Sequence, residues 1–175
     1  MRDKQVVVTG EASKAHRRGL WKAAIKWPLY SVAVMPVLLA AGWHLGAGQL
    51  VRFDQLLGFL LASVLLLLWE NLTNDLFDDD TGIDQSIKPH SVVALLGNRR
   101  TVGCLAYASL MAGLCLMFFL AINSNFSVLL LVLASCALGY LYQGPPFRLG
   151  YQGLGEPLCW LAFGPFATSA ALLVL

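Results

Sequence analysis

The feature that most constrains this chain is a series of long apolar segments. The first runs from Pro28 to Val51 and contains no Asp, Glu, Lys or Arg. A helix rises about 1.5 Å per residue, so roughly 20 apolar residues cross the ~30 Å hydrocarbon layer of a membrane. Three further segments of comparable length follow at about 55–72, 101–122 and 126–143. Each is predicted to be a transmembrane helix.

A fifth apolar segment runs from Pro157 through Leu175 without a charged residue. Because membrane proteins usually follow a last span with a polar anchor, we expect the chain to end inside this span. The predicted fold is an all-α, polytopic transmembrane helical bundle with four complete spans and a truncated fifth. We divide the chain into a basic cytoplasmic segment at 1–27 and a transmembrane domain at 28–175.

The overall composition supports a bilayer environment. Hydrophobic residues make up 58% of the chain and charged residues only 13%, too few to cover the surface of a water-soluble domain of this length. The formal net charge of +2 gives no indication of nucleic-acid binding. The four cysteines are scattered singly, without the paired spacing of a zinc site. These features exclude disordered, nucleic-acid-binding and zinc-binding classes.

The distribution of basic residues predicts the orientation in the membrane. Seven of the twelve Lys and Arg residues precede the first span, three lie between the second and third, and one follows the fourth. Only Arg52 lies on the other side. Because cytoplasmic loops carry an excess of Lys and Arg, the N-terminus is predicted to be cytoplasmic.

Six of the ten acidic residues lie between Glu70 and Asp84. If the second helix continues past Trp69, amides and carboxylates recur at i, i+3, i+4 and i+7 on one face, at Asn71, Asn74, Asp75 and Asp78. Carboxylates converging on one cavity repel each other unless a cation binds. Hard oxygen ligands suit Mg²⁺ or Ca²⁺, and the spacing does not fit a calcium-binding EF-hand loop. The cluster therefore predicts a Mg²⁺ site.

Mg²⁺ normally shares its coordination sphere with substrate phosphates, so this site is a candidate diphosphate clamp. Basic residues on the same membrane face are candidates for neutralising the phosphates, namely Lys88, Arg99, Arg100 and Arg148. Two simpler alternatives remain open. The acids could form a solvated loop, and the basic residues could serve only to orient the protein in the membrane.

Two motifs resemble those of a known family. The first is Asn74-Asp75-x-x-Asp78-x-x-x-Gly82-x-Asp84, followed by Lys88-Pro89. The second is Tyr142-Gln-Gly-Pro-Pro-Phe-Arg-Leu-Gly-Tyr-Gln-Gly-Leu-Gly-Glu156. They are similar to the first aspartate-rich motif and a later loop of the UbiA superfamily of intramembrane aromatic prenyltransferases. Within that superfamily the chain looks most like the naphthoate-prenylating enzymes of oxygenic phototrophs.

The resemblance implies transfer of a prenyl chain, phytyl in this branch, from its diphosphate to 1,4-dihydroxy-2-naphthoate with loss of the carboxylate. It places the protein in phylloquinone or menaquinone biosynthesis, in a cytoplasmic or thylakoid membrane. It also implies nine spans and a second aspartate motif, which would lie beyond Leu175. We therefore expect this chain to be inactive alone.

The resemblance also implies roles for individual residues. Asn74, Asp78 and Asp84 would hold Mg²⁺, and Asn71, Lys88 and Arg148 would bind substrate. Catalytic roles are implied for Asp75, Asp78 and Tyr142. For Asp75, support of a ligand and activation of the ring both remain open, and Tyr142 could instead be an interfacial anchor.

A transporter subunit that binds a moving cation is the rival interpretation from a different functional class. The sequence shows neither an inverted repeat nor a pair of broken helices, which many transporters contain. A fragment without activity of its own is a third interpretation, and it is compatible with the first.

Overall fold

The computed structural model describes residues 16–81 and 91–175, and every regular element within these ranges is helical. In chain order the helices are α1 (Trp27–Gly46), α2 (Phe53–Thr81), α3 (Val92–Leu96), α4 (Arg99–Ile122), α5 (Ser127–Gln143) and α6 (Gly155–Val174). Residues 16–25 are also helical and lead into α1. Two of the predicted site residues, Asp84 and Lys88, lie outside the described residues, as do residues 1–15 of the predicted basic segment.

The predicted all-α, polytopic membrane fold is confirmed. Among the described residues, four helices are long and apolar enough to cross a membrane: α1 with the residues that lead into it, α2, α4 and α6. The last two helices begin within two residues of the predicted fourth span and of the fifth apolar segment. α5 has 17 residues and is the shorter one, whereas α6 reaches 20 residues.

Both ends of α5 have a local cause. The Asn125 side chain accepts a hydrogen bond from the Ser127 N–H at 2.9 Å, which satisfies one of the free donors of the first turn. At the other end, Gly144 is followed by Pro145 and Pro146. Because proline lacks an N–H and disfavours a helical conformation in the preceding residue, the helix ends at Gln143.

The apolar halves of the helices share one core. Each long helix contributes to it a side chain that is at least 99% buried, namely Val37, Phe59, Met117, Val128 and Ala170. Helices α2 and α4 approach each other closely at Gly113. A Cβ on Gly113 of α4 would lie 2.9 Å from the Leu66 side chain and 3.3 Å from the Ala62 carbonyl oxygen of α2. Glycine is therefore required there by space, as at many helix contacts in membranes.

Replacing Gly113 with leucine tests this contact. We expect Gly113→Leu to destabilise the protein by about 1–3 kcal/mol, because a larger side chain must push α2 and α4 apart. Thermal unfolding in detergent should show a lower midpoint. Gly42→Leu is the control, since Gly42 is exposed and a Cβ added there would contact no atom within 4 Å beyond its chain neighbours and the backbone of its own helix. Equal midpoints for the two variants would contradict the close approach.

Candidate active site

The described part of the acidic cluster, residues 70–80, lies on the last three turns of α2. The helix continues past Trp69 to Thr81, which meets the condition on which the predicted polar face depends. Its polar side chains face three neighbouring parts of the chain: the segment before α1, the start of α3 and α4, and the connection from α5 to α6. Contacts to each of these parts determine where the cluster's amides and carboxylates lie.

Asp75 joins three elements through one carboxylate. Its side chain is 2% exposed, and Oδ1 lies 3.4 Å from the ammonium of Lys26. Oδ2 accepts a hydrogen bond of 2.8 Å from the backbone N–H of Val92, in the first turn of α3. Both oxygens are thus engaged by the protein. Of the two roles left open for Asp75, this geometry favours support of the site over direct action on a substrate.

Lys26 reaches this position from a bend in the chain. It lies between the helical residues 16–25 and α1, and its backbone φ of 49° is in the left-handed region that few residues other than glycine adopt. The ammonium also donates a hydrogen bond of 3.2 Å to Oδ1 of Asn71. The sequence predicted Lys26 only as part of a basic segment, because neither the bend nor its partners leave a pattern.

Asp78 connects the two sequence motifs. Its side chain is 1% exposed, and it accepts a hydrogen bond from the hydroxyl of Tyr151, which belongs to the second motif. Arg148, from the same motif, donates a hydrogen bond of 3.3 Å to the carbonyl of Phe77. Like Lys26, Arg148 has a left-handed backbone, with φ of 44°. The two motifs, about 60 residues apart in sequence, therefore meet at the end of α2.

Gln143 is a site residue that sequence analysis missed. It is the last residue of α5, and its side chain is buried. Its Nε2 donates hydrogen bonds to the Glu70 carbonyl at 2.9 Å and to Thr73 Oγ1 at 2.7 Å. The only sequence signal for Gln143 and for Tyr151 is their presence in the second motif. Through these hydrogen bonds, both side chains hold the second motif against α2.

Asp79 and Asp80 face outward. Asp79 and Asp80 are both bound by the guanidinium of Arg99, at 3.0 Å and 2.7 Å. Arg99 also donates a hydrogen bond of 3.1 Å to the carbonyl of Leu76. In this structure Arg99 therefore fastens α4 to α2, whereas the sequence suggested it as a partner for phosphate.

A cavity of about 190 Å³ lies between α1, α2, α5 and α6. Its polar wall consists of side chains from the segment before α1, the polar part of α2 and the end of α5: Lys26, Glu70, Asn71, Asn74, Tyr142 and Gln143. The rest of its wall is mostly apolar. The Tyr142 ring packs closely against Gly150 and Gly155, where a Cβ would approach ring atoms to 3.0 Å and 2.9 Å. The loop between α5 and α6 thus holds this ring at the cavity.

The described residues could supply only some of the ligands that Mg²⁺ needs. Asn74 lines the cavity and Asp78 lies one helical turn further on, so an amide oxygen and a carboxylate share one side of α2. Within residues 16–81 and 91–175 there is no group of three His, Cys, Asp or Glu side chains that could hold a metal. The expected convergence of the carboxylates on one cavity is therefore not seen in this part. Two oxygen ligands still fit Mg²⁺ when substrate phosphates complete its coordination.

Comparison with known proteins gives two similar relatives. Over 155 residues the chain is 47% identical to a Synechocystis sp. protein named 2-carboxy-1,4-naphthoquinone phytyltransferase, covering 88% of this chain and 50% of that protein. Over 174 residues it is 42% identical to the chloroplastic protein of that name from Arabidopsis thaliana, covering 95% and 45%. No solved structure matches the chain.

The chain thus spans about half the length of these relatives. The model of the UbiA prenyltransferase family matches residues 33–174, which include most of α1 and all of the later helices. The matched region contains both motifs and the described cavity lining except for Lys26 and Leu29. The chain therefore belongs to the UbiA prenyltransferase family.

Proposed function

We propose that the protein transfers a prenyl chain, phytyl in the first instance, from its diphosphate to 1,4-dihydroxy-2-naphthoate. The observation that carries this proposal is the cavity, which has a mostly apolar wall and a polar end formed by both family motifs. Such a shape suits an apolar chain attached to a charged diphosphate. The names of both relatives support a phytyl donor and a carboxynaphthoquinone-type acceptor.

We place the diphosphate at the polar end, beside Asn74 and Asp78. Mg²⁺ bound there with the diphosphate would neutralise its charge and make it a better leaving group. Asp84 would be a third ligand, and Lys88 would bind phosphate oxygens. Arg148 lies on the same end of α2, because its guanidinium contacts the carbonyl that precedes Asp78.

The reaction forms a carbon–carbon bond between C1 of the prenyl chain and C2 of the naphthoate ring. The bond from C1 to the diphosphate oxygen breaks, and diphosphate leaves with its electron pair. The ring carboxylate then leaves as CO₂, and its bonding electrons restore the aromatic ring. The product is a prenylated naphthohydroquinone, which places the protein in phylloquinone or menaquinone biosynthesis.

The residues around the cavity have distinct tasks in this scheme. Tyr142 presents an aromatic ring, which can stabilise positive charge developing on the prenyl chain. Asn71 binds substrate through Nδ2, a buried donor without a hydrogen-bond partner in the described structure. Asp75 positions Lys26 and α3 around the cavity. Apolar side chains exclude water, which would otherwise capture the reactive carbon.

We also propose a cytoplasmic N-terminus. Basic residues from three parts of the chain, Lys26, Arg99 and Arg148, contact the polar end of α2. At the opposite end of α2, Arg52 pairs with Asp54 at 2.6 Å. The excess of basic residues at the site therefore supports a cytoplasmic active site.

Substitution of two neighbouring aspartates tests whether Asp78 has a role in the reaction that an exposed acid lacks. In the full-length protein we expect Asp78→Ala to lower the rate of prenyl transfer by about 100-fold or more, because a metal ligand is lost. Asp79→Ala removes only an exposed ion pair, worth about 0–1 kcal/mol, so its rate should stay close to that of the wild type. Product formation by chromatography measures both. Equal losses would contradict the assignment of Asp78, provided that both variants keep the wild-type melting temperature.

Labelling of single cysteines tests the orientation. Gln49 and Gln152 are exposed and lie at opposite ends of the helices. In a background without native cysteines, we expect an impermeant thiol reagent to reach Gln152→Cys only from the cytoplasmic side and Gln49→Cys only from the other side. Labelling after membrane permeabilisation is the control for reactivity. Labelling of both positions from one side would disprove the proposed topology.

A further inference from the structure

Glu70 is the acid of α2 to which the proposed reaction assigns no task. It is the eighteenth residue of this 29-residue helix and lies deeper than the rest of the cluster. The other acidic side chains described in α2 are engaged by Arg52, Lys26, Arg99 or Tyr151. Among the described residues, none forms a hydrogen bond or ion pair with the Glu70 carboxyl group.

The carboxyl group of Glu70 faces the interior of the bundle. It lines the 190 Å³ cavity together with apolar side chains of three helices, including Leu67, Leu138 and Phe163. A carboxyl group in such surroundings costs several kcal/mol unless a partner satisfies it. Ionisable residues at this depth in membrane proteins usually contact substrates, ions or each other. The protein thus keeps a carboxyl group whose burial is unfavourable beside the cavity.

The opposite helix leaves room for this group. Gly139 of α5 faces Glu70 so closely that a Cβ would collide with Oε1 and lie 2.8 Å from the carboxyl carbon. Glycine is unfavourable inside a helix by roughly 0.5–1 kcal/mol relative to alanine. A residue that weakens α5 is therefore placed where it allows the Glu70 carboxyl group to reach the cavity.

A second polar group beside the cavity also lacks a partner among the described residues. Asn71 is 9% exposed, and its Oδ1 accepts a hydrogen bond from Lys26. Its Nδ2 is buried and has no hydrogen-bond partner in the described structure. The cavity is therefore lined by two consecutive residues, one with a carboxyl group and one with an amide donor that lacks a partner, beside apolar side chains that can hold a flat ring.

We propose that Glu70 forms a hydrogen bond with the 4-hydroxyl of the aromatic acceptor, while Asn71 Nδ2 donates to the acceptor's carboxylate. This inference rests on the proposed function. The 4-hydroxyl is the available one, because the 1-hydroxyl is adjacent to the carboxylate and bonds with it internally. Glu70 lies one helical turn, about 6 Å, deeper in the bundle than Asn74. The ring of the acceptor would thus lie deeper in the bundle than the diphosphate. Glu70 would determine which aromatic compounds are accepted.

Two simple naphthoates form the test, because they differ only in the 4-hydroxyl. Binding of 1,4-dihydroxy-2-naphthoate and 1-hydroxy-2-naphthoate to the full-length protein in nanodiscs is measured by calorimetry under anaerobic conditions, without prenyl diphosphate. We expect the wild type to prefer the dihydroxy compound by about 10–100-fold, as a site with a buried polar group does. In Glu70→Ala this preference should fall to about 1, through weaker binding of the dihydroxy compound alone.

Further variants separate this role from a structural one. Glu70→Gln keeps a hydrogen-bonding group of the same shape and should retain most of the preference. Gly139→Ala leaves Glu70 unchanged but displaces its carboxyl group, so it should reduce the preference as Glu70→Ala does. Asp54→Ala removes an exposed acid at the far end of the same helix and should bind both compounds like the wild type.

The possible failures are distinguishable. If the wild type binds neither naphthoate, both this inference and the proposed acceptor are overturned. If the wild type binds both equally, or if Glu70→Ala and Gly139→Ala keep the preference, only the role of Glu70 is overturned. An altered Mg²⁺ requirement for prenyl transfer with an unchanged preference would assign Glu70 to the metal instead, and would also overturn it.

Discussion

The arrangement of the site depends on the buried carboxylate of Asp75. It binds the ammonium of Lys26 before α1 and the first turn of α3 after the cluster. Removing one partner of a buried ion pair costs about 3–5 kcal/mol, since the other charge is then left without compensation. Two chain segments far apart in sequence are thereby held against α2. Without this carboxylate, the side of the cavity that Lys26 forms would have no fixed position.

The two halves of α2 are stabilised in different ways. The apolar half packs against its neighbours through small residues such as Gly113, because lipid gives no hydrophobic gain for helix association. The polar half must satisfy its amides and carboxylates within the bundle, and it does so with side chains such as Gln143 and Arg99. The cavity begins where the two halves meet. Under the proposed function, one helix could in this way contact both the prenyl chain and its diphosphate.

Much of the fold could be predicted from the sequence, because spans are determined by hydropathy over about 20 residues. The span predicted at about 55–72 is shorter than α2, which continues to Thr81, and the spacing of the polar residues was compatible with this extension without requiring it. Hydropathy also predicted α5 to within one residue, as the span at 126–143, although it does not explain the ends of this helix, which depend on Asn125 and on two prolines. Local patterns outweigh average hydropathy at such ends.

The site was less predictable than the fold. Spacing placed the residues of the cluster on α2, but it did not show that Asp75 faces a lysine or that Asp78 faces a tyrosine. These contacts depend on the path of the chain between helices, including the left-handed backbone at Lys26 and Arg148. A count of basic residues along the sequence contains no information about such bends. The catalytic, substrate-binding and metal-binding roles assigned to the site residues remain predictions.

The contact between Gly139 and Glu70 constrains how this protein can change over evolutionary time. A side chain at position 139 is compatible only with a smaller or displaced residue at position 70, because the two positions occupy one space. The order of substitutions then matters. Gly139 can be replaced at low cost only after Glu70 has been lost, whereas loss of Glu70 leaves a glycine that merely weakens α5. The two positions should therefore vary as a pair, even though 68 residues separate them along the chain.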